Sequence, residues 1–332
     1  MKNVRLQDIA NRLNLTKVSV SKALRDHSDI SLETRKKVKK MAEEMGYQPN
    51  QIARSLTSRT TKTLGVIVPK VAHFFFSHVI EGIYNVASEK GYDVILGVSL
   101  EDEKMEKDQL ESILRMRVDG LLVSVSQKTD KVDAFLVAKK MEIPLVFFDR
   151  VFEEQGFSCV KVEDRRSAYK AVRELVQEGH RTIAHLAGYD YVDIGREREA
   201  GYREALEAEG IDVDESRIVR GGFSESSGYE GMKALVENGG VPDTIFAVTY
   251  PVGLGILDYL RDHGIDPMTV KILSFGGSDF NQYLINPFRC IIQPTVELGR
   301  VACEQLLAEI ESEREVIPRV IKLPAATVKA EA

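Results

Sequence analysis

Basic residues concentrate at the N-terminal end of this chain, where they could bind a polyanion. Of the 332 residues, positions 1–62 hold fourteen Lys and Arg against six Asp and Glu, a net charge of +8, whereas the remaining residues carry −14. A basic head on an acidic body indicates a nucleic-acid-binding module joined to a part that does not bind polyanions. A solvated basic helix such as the stretch 35–40 would give the same charge. Sequence motifs are therefore needed to distinguish it from a nucleic-acid-binding module.

The spacing of apolar residues in this head predicts two short helices joined by a tight turn. The first helix has one apolar face, formed by Leu6, Ile9, Ala10 and Leu13. Asn14 tolerates the positive φ of a turn, and Thr16 is a good N-cap for a second helix over 17–24. A third helix is expected from Ser31 to Gly46. This arrangement is typical of a helix-turn-helix, which lays its second helix in the DNA major groove.

The second helix carries the candidates for contact with base edges. Four of its residues point away from the apolar face, namely Lys17, Val18, Ser21 and Lys22. A Lys side chain can donate to guanine O6 and N7, whereas Val18 offers only an apolar contact, for instance to a thymine methyl. Ordinary exposed residues would show the same pattern. The segment that follows the head is therefore needed as further evidence for DNA binding.

That segment, residues 46–69, joins the head to the first strand of the body. A short helix is expected within it, capped by Asn50 and ending near Ser58. Its candidate DNA contacts are Asn50, Ala53, Arg54 and Leu56. A helix this short is marginal in water, so it should form only when it packs against something.

These motifs resemble those of the lactose-repressor (LacI/GalR) family of transcription regulators, over Leu6 to about Val328. The most specific pieces are the stretches 8–10, 20–24, 30–35 and 46–56. The resemblance implies that the expected short helix is a hinge helix in the minor groove, whose Leu56 enters a central base step and kinks the DNA, as apolar wedges do. It also implies paired heads, and therefore a homodimer on a near-palindromic operator. The turn departs from the family, because 13–16 reads Leu-Asn-Leu-Thr where many members have Ala-Gly-Val-Ser.

From Leu64 onward, apolar strands alternate with amphipathic helices, which predicts parallel sheet covered on both faces. The resemblance implies a body like a periplasmic sugar-binding protein, with two Rossmann-like subdomains joined by three crossover segments. The expected fold is therefore a small all-α helix-turn-helix head plus an α/β periplasmic-binding-protein-like body. The expected boundaries are 1–48 for the head, 49–62 for the hinge helix and linker, and 63–332 for the effector-binding and dimerisation domain. Within that domain, the N-subdomain takes about 63–162 and 294–322, and the C-subdomain about 163–293.

Ligands of open α/β sheets bind at the carboxyl ends of the strands, which here is the cleft between the subdomains. From this rule and from the resemblance, the candidate effector-binding residues are Phe75, Phe76, Ser124, Asp149, Arg198, Phe223, Tyr250 and Asp279. The cleft departs from the family at two places. Thr249-Tyr250 stands where most members have Asn-Asp, and Gly276 replaces an aspartate that binds sugar hydroxyls, although Asp279 lies close by. The effector therefore stays open between a sugar acid, a phosphorylated or oligomeric sugar, and no small ligand at all.

The sequence lacks the characteristic motifs of several other classes of protein. The chain has no phosphate-binding Gly-rich loop, no nucleophile elbow and no His-Glu-x-x-His, which disfavours an enzyme and predicts no cofactor. Its three cysteines are widely spaced and give neither a disulfide framework nor a metal cluster. No apolar run approaches the ~20 residues of a membrane span, and the charged N-terminus lacks a signal segment. A cytoplasmic protein without a membrane partner is expected.

The expected function is that of a sequence-specific transcriptional regulator, more specifically a repressor, that binds double-stranded operator DNA as a homodimer. A small-molecule effector, a sugar or sugar derivative, is expected between the subdomains and controls DNA binding allosterically. Two alternatives stay open, a DNA-binding regulator that needs no ligand and a cytoplasmic sugar-binding protein. Whether the effector releases the DNA or promotes its binding depends on which state the ligand prefers.

Overall fold

The computed structural model describes residues 4–47, 60–72 and 74–328. Contacts between residues divide the chain into two units, a head over Met1–Thr61 and a body over Lys62–Ala332. The expected hinge-helix residues Asn50, Ala53, Arg54 and Leu56 lie outside the described residues. Within the described ranges, no helix is long and apolar enough to cross a membrane.

Helix caps define the three helices of the head. These helices are α1 (Leu6–Leu13), α2 (Lys17–Leu24) and α3 (Leu32–Glu44). Asn14 adopts the left-handed conformation expected of the turn, with a φ of 54°. Thr16 Oγ1 accepts a hydrogen bond from the Ser19 N–H at 3.0 Å, and Ser31 Oγ accepts one from the Thr34 N–H at 3.2 Å. Each cap satisfies a backbone donor that the first turn of a helix leaves without a partner.

The three helices enclose a small apolar core of their own. Its buried side chains are Ile9, Ala10, Val20, Ala23, Val38 and Ala42. All six lie at the helical spacing that the sequence shows, so the predicted helix-turn-helix pattern is confirmed. The third helix ends two residues before Gly46, which takes a positive φ of 66°.

The body contains two six-stranded sheets, each with its helices, which we call the first and second lobes. The strands of the first lobe are β1 (Thr63–Val68), β2 (Asp93–Val98), β3 (Gly120–Val123), β4 (Leu145–Phe148), β5 (Ser158–Val162) and β11 (Val320–Leu323). They are all parallel, in the order β11-β5-β4-β3-β1-β2. The helices of this lobe are α4 (Phe74–Glu89), α5 (Glu103–Arg115), α6 (Leu136–Lys140) and α11 (Thr295–Ile310).

The second lobe repeats this plan. Its strands are β6 (Ile183–Ala187), β7 (Ile218–Arg220), β8 (Thr244–Ala247), β9 (Lys271–Phe275), β10 (Arg289–Ile292) and β12 (Ala326–Val328). Their order is β12-β10-β9-β8-β6-β7, and β12 alone among these strands is antiparallel to its neighbour. The helices are α7 (Asp164–Gln177), α8 (Asp193–Ala208), α9 (Glu225–Gly239) and α10 (Tyr250–Asp262).

The chain passes between the lobes three times, after β5, after β10 and after β11. Three crossovers are what the family resemblance implies. The amphipathic helices that the sequence predicts bury their apolar residues, with Val79 and Ile83 of α4 and Ala171 and Leu175 of α7 at 0% exposure. Such stripes cover the faces of the sheets and leave the carboxyl ends of the strands free for a ligand.

Two glycines allow α4 and α11 to pack with their backbones almost in contact. A Cβ atom on Gly82 would lie 2.1 Å from the Val296 carbonyl oxygen, and one on Gly299 would lie 2.0 Å from that of Val79. Any side chain at either position would therefore separate the helices. Because α4 also lines the cleft through its first turn, this contact fixes the cleft wall against the first lobe.

Candidate effector cleft and DNA-binding helix

A cavity of about 170 Å³ lies at the carboxyl ends of the strands, between the two lobes. The first lobe contributes the loops after β1, β2, β3 and β4, together with the start of α4. The second lobe contributes α8, the loops after β7 and β9, and the start of α10. This is the position at which open α/β sheets hold their ligands.

Six of the eight predicted effector residues line the cavity, namely Phe75, Phe76, Asp149, Arg198, Phe223 and Tyr250. The other two do not. Ser124 is buried behind the wall, and its hydroxyl donates to Asp149 Oδ2 at 3.4 Å. Asp279 is exposed, because the chain turns out to the surface after Gly276. Asp279 therefore does not line the cavity, and Ser124 contacts Asp149 instead of the cavity.

Asp149 is a buried acid in the wall of the cleft. Its side chain follows β4, and its backbone has a positive φ of 61°, a conformation that few residue types adopt readily. Burial raises the pKa of this carboxyl to about 7, although the nearby Arg150 and Arg198 act to lower it. The carboxyl therefore keeps its proton to a higher pH than an ordinary aspartate, and in the protonated form it can donate as well as accept hydrogen bonds.

Arg150 and Glu101 form a buried ion pair that the sequence analysis missed. Arg150 Nη1 lies 2.9 Å from each Glu101 carboxylate oxygen, and Glu101 Oε2 also accepts from the Gln127 N–H at 2.8 Å. Leu100 and Glu101 both have positive φ values, of 50° and 60°, which is unusual for two successive residues without a glycine. Strain of this kind concentrates at functional sites. Glu101 thus ties the loops after β2, β3 and β4 into one wall.

Arg198 is the largest buried cation facing the cavity from the second lobe. It is 2% exposed, its Nε donates to Asp164 Oδ1 at 2.8 Å, and its Nη1 donates to the Val248 carbonyl at 2.7 Å. Its guanidinium also stacks 3.7 Å above the Phe275 ring. Among the described residues, Nη2 has no hydrogen-bond partner, so its two N–H groups are available to a ligand.

Two contacts join the lobes across the cavity itself. The Arg150 guanidinium lies 4.8 Å above the ring of Phe223, and the Phe223 N–H donates to Gln127 Oε1 at 3.4 Å. A ligand that fills this space touches both lobes at once. Arg150 could be suggested from the sequence, because it follows Asp149 directly after a strand. No local sequence pattern indicates that Glu101 or Gln127 lines the cavity.

On α2, the predicted base-contacting residues differ in their freedom to reach DNA. Val18 is 64% exposed, and Lys17 is exposed as well. Lys22 instead forms an ion pair with Asp29, and the hydrogen bond from Lys22 lowers the pKa of the Asp29 carboxyl. Ser21 Oγ accepts a hydrogen bond from Arg25 at 3.3 Å.

Both units of the chain match known protein families. Residues 5–50 match the family described as bacterial regulatory proteins, lacI family, and residues 61–331 match periplasmic binding proteins and sugar binding domain of LacI family. The chain is 29% identical over 324 residues to catabolite control protein A of Priestia megaterium, covering 97% of each chain. It is 30% identical over 309 residues to the HTH-type transcriptional repressor CytR of Escherichia coli K12, covering 93% of this chain and 90% of CytR.

Solved structures of transcriptional regulators are also similar to this chain. A transcriptional regulator CelR–cellobiose complex is 27% identical and matches with a TM-score of 0.74 over 98% of this chain and 99% of CelR. The lac repressor dimer bound to operator and the anti-inducer ONPF, at 24% identity, matches in fold with a TM-score of 0.86 over 99% of this chain and 98% of that one. The chain belongs to the LacI family of bacterial regulatory proteins, with a helix-turn-helix head and a sugar-binding type of body.

Proposed function

We propose that this protein is a transcriptional repressor that binds a near-palindromic operator as a homodimer and responds to a small sugar-like effector. The observation that carries the proposal is a cavity walled by both lobes, in a chain whose head is a helix-turn-helix with an exposed second helix. Binding, not catalysis, is the proposed activity, since the relatives that match are named as repressors and regulators. The proposed location is the cytoplasm, where bacterial DNA lies.

DNA recognition is proposed to use two sets of residues. Lys17, Val18, Ser21 and Lys22 of α2 would contact base edges in the major groove. Asn50, Ala53, Arg54 and Leu56 would contact the minor groove between two half-sites. Two heads are needed because one helix-turn-helix covers a single half-site, and a two-fold symmetric dimer matches a palindrome.

Effector control is proposed to act through the angle between the lobes. A ligand in contact with both Arg150 and Arg198 binds one lobe arrangement better than another, and only such a difference can shift an equilibrium. A coupling free energy of about 1–3 kcal/mol would change operator affinity about 5–150-fold. The unliganded alternative, a regulator that needs no effector, requires operator affinity to be independent of any molecule that fills the cavity.

The proposal is tested by selecting binding sites for the full-length protein from a random DNA library. We expect enrichment of a palindrome, and we expect a sugar that stabilises the body to change the affinity for that palindrome. A double variant with Arg198→Gln and Asp164→Asn serves as the cleft control, because it leaves no buried carboxylate without its cation and its heads are unchanged. Binding without preference for any palindrome over bulk genomic fragments at moderate salt would overturn the proposed function.

A further inference from the structure

We infer that the effector is an uncharged sugar with one apolar edge, such as a 6-deoxyhexose, whose apolar substituent lies against the start of α10. The inference rests on the proposed function, because it names the ligand class of the same cleft. Two independent features of the cavity carry it, the pairing of its buried charges and the apolar character of one corner.

The buried charges of the cavity already have partners within the protein. Arg150 is paired with Glu101 at 2.9 Å, and Arg198 is paired with Asp164 at 2.8 Å. Asp149, the remaining buried acid of the wall, has its pKa raised to about 7 by burial. A carboxylate or phosphate on the ligand would therefore enter without an unpaired buried cation to compensate it, and an uncompensated buried charge is costly.

The two other charged residues of the wall do not change this balance. Lys70 is only half-buried and Glu225 is exposed, so solvent screens both. They also carry opposite charges. The cavity as a whole therefore favours a neutral ligand, which argues against the sugar acids and phosphorylated sugars left open by the sequence.

One corner of the cavity, where β8 and β9 end, is largely apolar. It is formed by Tyr250, Pro251, Leu254 and Gly276, beside Phe275, whose ring is covered by the Arg198 guanidinium at 3.7 Å. The Tyr250 ring is 8% exposed and packs 5.2 Å from the Phe288 ring, which fixes it as part of the wall. The corner therefore presents mainly apolar surface to a ligand.

The polar side chains that remain at this corner are neutral. The Thr249 hydroxyl already donates to the Phe223 carbonyl at 3.0 Å. Gln293 lies beside Gly276, where an added Cβ atom would be 3.3 Å from its Oε1. A ligand hydroxyl placed there would lose water without gaining a carboxylate acceptor, whereas a methyl group would gain contact with Leu254 and Tyr250.

Buried polar groups from both lobes provide the contacts that a sugar ring needs. Asp149 of the first lobe and Arg198 of the second both line the cavity, and Arg198 Nη2 makes no hydrogen bond within the part of the chain that the structure describes. Uncharged hydroxyls satisfy both groups without adding charge. The ligand therefore has one hydroxylated edge toward these residues and one apolar edge toward α10.

The test measures binding of matched sugars to the full-length protein by isothermal titration calorimetry. The probes are L-fucose with L-galactose, L-rhamnose with L-mannose, and D-quinovose with D-glucose, since the members of each pair differ only in the hydroxyl at C6. D-Glucuronate and D-glucose 6-phosphate test for an anionic effector. We expect at least one deoxy sugar to bind about tenfold or more tightly than its hydroxylated partner, because the C6 hydroxyl would exchange water for largely apolar neighbours.

Gly276→Asp places a carboxylate in the corner, together with the strain that any side chain meets at the φ of 79° found there. We expect this variant to bind the hydroxylated partner about tenfold more tightly than the native chain does, which reduces the discrimination. Gly276→Ala is the matched control, because it carries the backbone strain without the acceptor. Leu254→Asn, on the partly exposed side of α10, provides a second variant that should weaken only the deoxy sugar.

The outcomes separate this inference from the proposed function. Equal or tighter binding of the hydroxylated sugar in every pair, tightest binding of either anion, or no binding of any neutral probe at millimolar concentration would each overturn the inference. The proposed effector control fails separately, if a sugar that binds the cleft leaves operator affinity unchanged. Preference for a deoxy sugar that Gly276→Asp reduces and Gly276→Ala retains would establish the apolar edge.

Discussion

Lys161 of the first lobe forms a buried ion pair with Asp193 of the second, with 2.6 Å between Nζ and Oδ2. Lys161 lies in β5 and Asp193 is the first residue of α8, and their side chains are 2% and 4% exposed. Asp193 Oδ1 also accepts from the Val151 N–H at 3.2 Å, and Glu153 is a second partner of Lys161 at 2.8 Å. Burial acts to lower the pKa of Lys161, but Asp193 and its neighbours raise it above its usual value. The pair holds the lobes together beside a crossover.

Lys161→Met should therefore destabilise the body strongly, because it leaves the Asp193 carboxylate buried without its cation. We expect the free energy of unfolding in urea to fall by about 3–5 kcal/mol. Lys161→Met with Asp193→Asn should recover most of this loss, since the Asn retains an acceptor for the Val151 N–H. A single-variant cost below about 1 kcal/mol would mean that the pair behaves as an exposed one.

The raised pKa of Asp149 predicts a specific pH dependence of stability. Its folded pKa of about 7 exceeds its ordinary value of 3.8, so the folded state holds the proton more tightly. The stability that this gives is fully present below about pH 4 and is lost as the pH rises toward 7. Asn does not ionise, so Asp149→Asn should not lose stability as the pH rises. We expect its free energy of unfolding to exceed that of the native chain by about 1–3 kcal/mol between pH 5 and pH 8.

The measurement is the difference in unfolding free energy between variant and native chain at each pH. A difference is needed because buried His185, whose pKa burial lowers to about 4, makes the native chain less stable as the pH falls below 6.5. Asp279→Asn is the matched control, since this aspartate is exposed in the same body. A gain for Asp149→Asn that does not change with pH would contradict the assignment.

The fold was predictable where a single stretch of sequence carries the signal. The helices of the head follow from apolar spacing and from the caps Thr16 and Ser31, and the central strands follow from apolar runs. The place of β11 at the edge of the first sheet could not be predicted in this way, because its alternately exposed residues pair with β5, which lies about 160 positions earlier. Local periodicity contains no information about such a partner.

In the cleft, too, residues were predictable from local sequence only where their role does not depend on a distant partner. Asp149 and Tyr250 were found because each directly follows a strand, where ligands of such folds bind. Glu101 was missed because its role depends on Arg150, 49 positions away. Asp279 was wrongly placed in the cleft, since the sequence does not show that the chain leaves the cavity after Gly276.

Asp29 restrains Lys22 in the head, so its removal should strengthen DNA binding. Asp29→Asn frees the Lys22 ammonium and removes a negative charge near the expected DNA surface. We expect several-fold tighter operator binding at low salt in fluorescence anisotropy titrations. Asp26→Asn makes the same change of charge but frees Lys39 of α3 instead. An equal gain in both variants would mean that net charge alone is responsible.

Lys22→Ala separates a base contact from a phosphate contact. If Lys22 binds a guanine edge, the variant should relax sequence preference at that base pair and leave the salt dependence of binding nearly unchanged. Loss of a phosphate contact would weaken all sequences alike and lower the salt slope by about one unit. Binding titrations at several salt concentrations, on the operator and on single-base variants, distinguish the two. The second pattern would contradict the predicted role.

Leu56→Ala tests whether the segment between head and body deforms the operator. Unstacking a base step costs a few kcal/mol, and an apolar side chain can offset this only if it is large enough to fill the opened step and the bend brings more protein against DNA. An alanine methyl is too small, so we expect weaker operator binding and a smaller bend, measured by fluorescence energy transfer between the DNA ends. Leu56→Met is the matched control, because Met also serves as a wedge and should retain most of the bend. The melting temperature of the body should not change in either variant. An unchanged bend in Leu56→Ala would show that this leucine does not enter the DNA, and the operator would then be read through the major-groove residues of α2 alone.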